Sequence, residues 1–162
     1  MKSMKLNKLL GITIFIPLLM GCTNKSSYNG PKIVLDYVEN GDLVSASATK
    51  MFEDVVTNKK STIYLLGNDT CSACKKVKEK ILQPYAKGSH CNIYYVDIVD
   101  MSESDFNKIQ AATQGVYQFL ENDVVPATYF FLEGEVAFRV GAEDDLGHYL
   151  EQYVEVSPLT VN

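Results

Sequence analysis

Apolar residues recur along positions 32–156 with two alternating spacings, which predict strands and helices in turn. Runs rich in β-branched and aromatic residues indicate strands at 32–38, 61–67, 92–100, 128–132 and 136–140, the last two forming a hairpin around a glycine turn. Apolar residues three and four apart indicate helices at 45–60, 71–83, 102–121 and 146–154. The resulting order, β-α-β-α-β-α-β-β-α, is typical of an α/β domain.

Two of these helices carry local boundary signals. Ser102, with Asp105 three residues on, resembles a capping box and predicts the start of the third helix. Pro84 lacks a backbone N–H, so we expect it to end or kink the second helix after Gln83.

The first 21 residues have a different pattern: three lysines and no acid, with an apolar run over 9–20 that is short for a membrane span. This pattern predicts an export signal. Cys22 comes directly after Leu19-Met20-Gly21, which resembles the lipobox of bacterial lipoproteins and implies cleavage before Cys22 and lipid on it. The alternatives are an uncleaved anchor or a differently cut signal, and each also places the domain outside the cytoplasm.

Length and charge fit a single exported domain. The chain has 162 residues, of which 46% are hydrophobic, enough for one core. We expect a polar tether at 22–31, a domain at 32–156 and a short tail at 157–162. The net charge is -5 and the leader is basic, so the domain itself is more acidic still, which argues against nucleic acid as a partner.

Besides Cys22 the chain has three cysteines, and Cys71 and Cys74 form a Cys-x-x-Cys pair. A redox pair needs one exposed thiol of lowered pKa, which the free N–H groups and dipole of a helix start provide. Cys71 is predicted at a strand-to-helix junction, and Cys74, one turn on, can resolve a mixed disulfide. Two alternatives stay open. Zinc would need His90 and Cys91 as further ligands, and a structural bridge over so short a loop would stabilise little.

Cys91 precedes the strand at 92–100, whereas the Cys-x-x-Cys pair follows a strand. In a parallel sheet these positions lie at opposite edges, roughly 20 Å apart, so Cys91 is not expected to exchange with Cys71. We expect a free or half-buried thiol there, with an intermolecular disulfide as the alternative.

The series Cys71-Ser72-Ala73-Cys74 after a strand, then Val125-Pro126 before a hairpin and a last helix, resembles the thioredoxin fold over about 32–156. The resemblance implies an α/β domain with a central mixed β-sheet flanked by helices and a long helix before a cis-proline. It also implies that Cys71 is the attacking sulfur and that Cys74 resolves the mixed disulfide.

The same resemblance implies a substrate surface around the cysteines. Val125 and Pro126 would offer backbone groups to an extended substrate segment, a form of strand addition. Thr70, Ser72 and Ala73 would complete that surface. An ordinary trans proline at the start of a strand is the alternative for Pro126.

The chain departs from the thioredoxin pattern at two positions. Thr70 stands where thioredoxins carry tryptophan, and Leu65 stands where they carry a buried aspartate that aids proton transfer during reduction. The second difference weakens the case for a general reductase. The lipoprotein leader, the small domain and the long helix at 102–121 resemble the thioredoxin-like accessory proteins of bacteriocin loci in Gram-positive bacteria.

The sequence thus predicts a membrane-tethered, extracytoplasmic thiol–disulfide oxidoreductase with no cofactor and no metal. Its partners would be cysteine-containing exported proteins or peptides, in disulfide formation, isomerisation or bacteriocin maturation, together with a membrane redox partner. Two alternatives remain: a reductase as in cytochrome c maturation, and a non-catalytic adaptor or chaperone.

Overall fold

The computed structural model describes residues 28–117, 125–142 and 145–158. The predicted signal peptide, the lipid attachment at Cys22 and most of the predicted tether lie outside the described residues. Over the three described ranges, no helix has both the length and the apolar character needed to cross a bilayer.

Strands and helices alternate along the described chain. The strands are β1 (Ile33–Leu35), β2 (Leu43–Ser45), β3 (Thr62–Gly67), β4 (Ile93–Asp97), β5 (Ala127–Leu132), β6 (Glu135–Val140) and β7 (Val154–Val156). The helices are α1 (Ala48–Phe52), α2 (Ser72–Val77), α3 (Gln83–Ser89), α4 (Glu103–Ala112) and α5 (Leu146–Tyr153). A π-helical turn at Glu53–Thr57 extends α1, and another at Lys78–Leu82 joins α2 to α3.

The central sheet is mixed and has the strand order β2-β4-β3-β5-β6. Strands β2, β3 and β4 are parallel, while β5 is antiparallel to both β3 and β6. The carboxyl ends of the parallel strands therefore meet the start of β5 at one edge. Strands β1 and β7 form a separate parallel pair.

Strand β3 is buried along its whole length, so its alternating side chains enter two cores. Ile63 and Leu65 belong to the core that α2, α3 and α5 cover, and Tyr64 and Leu66 to the core that α1 and α4 cover. A strand with core on both faces explains the continuous apolar run in the sequence. The layered arrangement is the predicted one, a mixed sheet with helices on both faces.

The helix after Cys71 does not end at Pro84, contrary to our first expectation. The N–H of Gln83 bonds the carbonyl of Lys78, five residues back, and regular α3 begins from there. The missing N–H of Pro84 thus falls in the first turn of α3, where proline is tolerated. The helix stops at Ser89, where His90 adopts a left-handed conformation with φ 54°.

The predicted long helix at 102–121 is wrong in its extent. Ser102 caps it as expected, with its hydroxyl accepting from the N–H of Asp105, but α4 ends at Ala112. Gln114 and Gly115 then have φ of 54° and 73°, which no right-handed helix accommodates. The helical spacing that we followed past Ala112 included Val116, but Val116 is exposed, and the next residue, Tyr117, packs in the core after a turn. Residues 118–124 lie outside the described residues.

Two three-residue strands have no counterpart in the sequence prediction. Strand β2 occupies 43–45 and pairs with β4, so α1 starts only after Ser47, whose hydroxyl accepts from the N–H of Lys50. Val154, placed in the last helix by its spacing, begins β7 and pairs with Ile33. Strands this short have no recognisable period of their own, and only their partners identify them.

Contacts with the domain begin before the predicted boundary at residue 32. Tyr28 packs its ring against Phe138 and Tyr153, with ring centroids 4.8 and 5.3 Å apart. The described end of the predicted tether, at 28–31, therefore lies against β6 and α5.

Candidate redox site

Cys71 lies at the junction between β3 and α2, at the edge where the parallel strands end. Its backbone is extended, with φ -83° and ψ 118°, and it is the N-cap of α2. Its sulfur accepts a hydrogen bond from the N–H of Cys74 at 3.3 Å. An N-cap side chain normally supplies an oxygen for such a bond, so here a sulfur occupies the position that favours negative charge.

The two thiols have opposite properties. Cys71 is partly exposed, and its pKa is lowered mainly by the hydrogen bond with the Cys74 thiol and by the N–H of Cys74. Partial burial acts in the opposite direction, and the N–H of Ala73 lowers the pKa further. Cys74 is fully buried, and burial raises its pKa to about 11, with the neighbouring Cys71 adding to the rise. The arrangement has one accessible sulfur suited to exchange and one protected sulfur within its reach.

The peptide between Val125 and Pro126 is cis, as the resemblance implied. The carbonyl oxygen of Val125 lies 4.0 Å from the sulfur of Cys71, so the segment before β5 faces the cysteine pair. Val125 is half-buried and Pro126 is buried. The backbone of Val125 is thus the part that meets the site, and its role towards a substrate stays a prediction.

The other predicted surface residues surround Cys71. Thr70 and Ser72 are exposed, and Ala73 is half-buried. The N–H and hydroxyl of Thr70 both donate to the side-chain oxygen of Asn68 at 2.7 Å. Thr70 is therefore committed to the turn before Cys71, while Ser72 and Ala73 are the freer surface.

A cluster of polar side chains beside the site was missed by the sequence analysis. Tyr95, from β4, donates its hydroxyl to Asp69 at 2.9 Å, and Lys78 contacts the same carboxylate oxygen at 2.6 Å. The Lys78 ammonium also lies 3.7 Å from the centre of the Tyr95 ring. Tyr95 pairs with Leu65 across the β3–β4 ladder, next to the position of the absent aspartate, and no local sequence pattern indicated this pairing.

Structural comparison then identifies the architecture. The chain is similar to thioredoxin O1 from Arabidopsis thaliana, with a TM-score of 0.51 and 16% identity over 69% of this chain and 97% of that one. Thioredoxin O2 from the same plant gives a TM-score of 0.50 and 17% identity, over 70% and 96% of the two chains. The chain has a thioredoxin fold.

A third similarity is weaker. A DsbH oxidoreductase shares 25% identity over 64% of this chain and 76% of its own, but the TM-score of 0.41 supports no argument. No protein-family model matches the chain, and no curated protein sequence matches it. A thioredoxin fold with a Cys-x-x-Cys pair at this junction is consistent with thiol–disulfide oxidoreductase chemistry.

Cys91 lies at the other end of the thioredoxin sheet, just before β4, whereas Gly67 beside the redox pair aligns with Asp97 at the end of β4. Cys91 is fully buried, and burial raises its pKa to about 11. An intermolecular disulfide would require this side chain to leave the core. The thiol that we expected to be half-buried or free is completely buried, and the choice between a free thiol and an intermolecular disulfide stays a prediction.

Neither histidine lies at the redox pair. His90 ends α3, and its Nδ1 lies 3.0 Å from the carbonyl oxygen of Glu39. His148 lies in the first turn of α5. Over residues 28–117, 125–142 and 145–158, no three His, Cys, Asp or Glu side chains form a group able to hold a metal ion.

Proposed function

We propose that this protein is a membrane-tethered, extracytoplasmic thiol–disulfide oxidoreductase that acts on cysteine-containing exported proteins or peptides. The observation that carries the proposal is the pairing of Cys71, partly exposed and of lowered pKa, with the buried Cys74, whose N–H holds the Cys71 sulfur at 3.3 Å. A lowered pKa makes Cys71 a good nucleophile in the dithiol form and a good leaving group from a mixed disulfide.

In the oxidising direction the cycle starts from the Cys71–Cys74 disulfide. A substrate thiolate attacks the sulfur of Cys71, and Cys74 leaves as a thiolate that takes up a proton. A second substrate thiolate then attacks the substrate sulfur of the mixed disulfide, and Cys71 leaves as a thiolate that the N–H of Cys74 stabilises. The substrate loses two electrons and gains one disulfide, and the dithiol is reoxidised by a membrane redox partner.

Disulfide formation or isomerisation fits this chain better than reduction. Stabilising the Cys71 thiolate stabilises the dithiol state, which makes the disulfide form a stronger oxidant. In addition, Leu65, fully buried, stands where a reductase of the thioredoxin type carries an acid for proton transfer. Within this class, maturation of an exported bacteriocin in a Gram-positive bacterium is the narrower proposal, and it rests on the leader and the small domain.

The substrate would bind as an extended segment along Val125 and Pro126, with Thr70, Ser72 and Ala73 on the other side of the Cys71 sulfur. The 4.0 Å approach of the Val125 carbonyl oxygen to that sulfur supports this placement. A peptide that pairs with this backbone would bring its own cysteine to Cys71 without requiring a particular sequence.

Export and anchoring complete the proposal. The leader at 1–21 would be cleaved and Cys22 lipidated, which would hold the domain at the outer face of the cell membrane. A single lipid-modified cysteine and a short tether would keep the redox site near the membrane surface, where exported chains emerge.

The test is a trapping experiment in the native cell with Cys74→Ala. Without the resolving thiol, Cys71 should accumulate mixed disulfides with exported proteins, visible on non-reducing gels and identifiable by mass spectrometry. A double variant that also changes Cys71 should lose them. If replacing both cysteines leaves the cellular phenotype intact, the protein is an adaptor or chaperone rather than an enzyme.

The reduction potential of the Cys71–Cys74 pair decides the direction of electron flow. A reduction potential of about -120 mV marks a strong oxidant and supports the proposal, whereas a potential of about -270 mV marks a reductant. The second result would favour the reductase alternative, with electrons supplied from the membrane.

A further inference from the structure

We infer that Tyr95, Asp69 and Lys78 are positioning residues of the redox pair: together they clamp the turn that leads into Cys71 and so hold its sulfur at the N–H of Cys74. The three residues come from β4, from the turn itself and from the helical segment after α2. This inference deepens the proposed function and rests on it, because it assigns a role at the same two cysteines.

The turn in question runs from Asn68 to Cys71 and is the sole covalent link between β3 and α2. The N–H of Cys71 donates to the carbonyl of Asn68 at 3.0 Å, and Thr70 donates twice to the Asn68 side chain. These bonds are internal to the turn, so they shape it without attaching it to the domain. Two side-chain interactions attach the turn to the domain: the N–H of Asn68 bonds the Cys74 sulfur, and Asp69 bonds residues of both the sheet and the helix.

Asp69 is held on two sides. The Tyr95 hydroxyl reaches it from the sheet at 2.9 Å, and the Lys78 ammonium reaches it from the helix at 2.6 Å. Tyr95 is itself buried, and Lys78 rests on its ring, so the three groups form one unit that spans strand, turn and helix. A carboxylate held by both elements fixes where the turn lies between them.

The clamp also adjoins the buried thiol. A side-chain carbon added at Gly67 would lie 2.9 Å from the Tyr95 ring and 3.5 Å from the Cys74 sulfur, so ring and sulfur flank the same space. Only a glycine at 67 lets Tyr95 approach so closely. The aromatic ring therefore helps to bury Cys74, and its hydroxyl holds the turn that carries Cys71.

The contact that the clamp protects is sensitive to small movements. A hydrogen bond from an N–H to a thiolate weakens steeply with distance, and at 3.3 Å from sulfur to nitrogen the Cys71–Cys74 bond is well formed. Loosening the turn would lengthen it and favour the protonated thiol of Cys71. Among the described residues, the charged side chains on the elements next to Cys71 are Asp69 and Lys78, with Lys75 and Lys76 on α2 and Asp97 at the end of β4, which also bonds Asp69.

The first test compares two isosteric variants that each remove one Tyr-to-Asp hydrogen bond. Tyr95→Phe keeps the aromatic ring under Lys78 and changes no charge, but it removes the hydrogen bond from the Tyr95 hydroxyl to Asp69. Tyr64→Phe is the matched control. The Tyr64 hydroxyl donates to Asp54 with an oxygen–oxygen distance of 2.7 Å, and this bond lies in the core that α1 and α4 cover, not beside the cysteine pair. The Cys71 pKa is read from the pH dependence of its alkylation rate in the full-length reduced protein.

In Tyr95→Phe we expect a raised Cys71 pKa, a more negative reduction potential and an alkylation rate at pH 7 lower by about threefold, in proportion to the thiolate lost. Tyr64→Phe should lower the melting temperature and leave all three quantities unchanged. An unchanged or lowered Cys71 pKa in Tyr95→Phe, or an equal shift in the control, would overturn the inference.

A second variant guards against a Tyr95→Phe protein that fails to fold. Asp69 is exposed, so Asp69→Ala removes both arms of the clamp at little risk to the core. Losing a nearby anion lowers a thiol pKa, so the measurement is made at 1 M salt, where such charge effects are screened. The inference requires a raised Cys71 pKa under these conditions, and a lowered one contradicts it.

These measurements need no biological substrate, so they separate this inference from the proposed function. If trapping in the cell fails but Tyr95→Phe raises the Cys71 pKa, the clamp stands and the proposed enzyme does not. If trapping succeeds and Tyr95→Phe leaves the Cys71 pKa unchanged, the proposed enzyme is supported and the clamp is not.

Discussion

Two fully buried thiols, Cys74 and Cys91, lie at opposite ends of the sheet, and burial raises the pKa of each to about 11. They differ in their neighbours. Cys74 has the sulfur of Cys71 bonded to its own N–H, whereas burial is the sole contribution to the pKa of Cys91. Burial by itself therefore makes a thiol inert, and an accessible partner sulfur at a helix start makes it part of a redox pair.

Removing the accessible sulfur should have the largest effect. We expect Cys71→Ala to lower the rate of disulfide exchange by about a thousandfold or more, because the other two thiols in the part of the chain that the structure describes are both buried. Cys91→Ala should leave the rate unchanged within about twofold. Turnover of a fluorescent disulfide-linked peptide measures both, and a comparable loss in Cys91→Ala would break the distinction between the two ends.

Alkylation sharpens the comparison within a single protein. In the reduced native chain at pH 7, Cys71 should react with iodoacetamide about a hundredfold faster than Cys91, because its pKa lies below the usual value and the Cys91 pKa lies near 11. Peptide mapping by mass spectrometry over a time course separates the sites. In urea the difference should disappear, and a difference that persists there would show that the fold is not its cause.

Two carboxylates extend the comparison to stability. Asp54 is buried, and although burial raises its pKa, its bonds with Lys50, Tyr64 and Lys60 lower it overall. We expect Asp54→Asn to cost about 2 kcal/mol or more in the free energy of unfolding, because it removes the buried charge that pairs with Lys50 and Lys60 and weakens the bond to the buried Tyr64 hydroxyl. The exposed Asp69→Asn should cost clearly less, because solvent screens its ion pair. Urea denaturation measures both, and an equal cost would remove the contrast.

The pH dependence of stability gives the smallest expected effect. Cys91 has a higher pKa folded than unfolded, so its contribution is complete below the unfolded value near 8.5 and is lost as pH rises through about 11. Between pH 8 and about pH 9.5, Cys91→Ala should therefore lose about 1 kcal/mol less stability than the native chain. Parallel urea titrations at the two pH values provide the check, and identical losses would mean that Cys91 ionises as freely in the fold as outside it.

Local patterns were sufficient where a feature depends on neighbouring residues. The strand before Cys71 and the hairpin around Gly134 were predicted from runs and turn residues, and the structure confirms both. The cis bond before Pro126 followed from resemblance to a known fold and is also confirmed. The helix predicted to reach Glu121 failed because Val116 keeps the helical spacing in the sequence, although the backbone has already turned at Gln114 and Val116 is exposed.

By itself, then, the sequence determined the alternation of strands and helices and the position of Cys71 at a helix start, because each depends on residues close together in the chain. The export function of the leader stays a prediction. Only the tertiary structure decided that Tyr95 and Lys78 meet at Asp69, and that the Val125 carbonyl faces Cys71 across 54 positions of sequence. These contacts join separate elements at one edge of the sheet. No local period encodes them, since they arise from the order in which the strands pair.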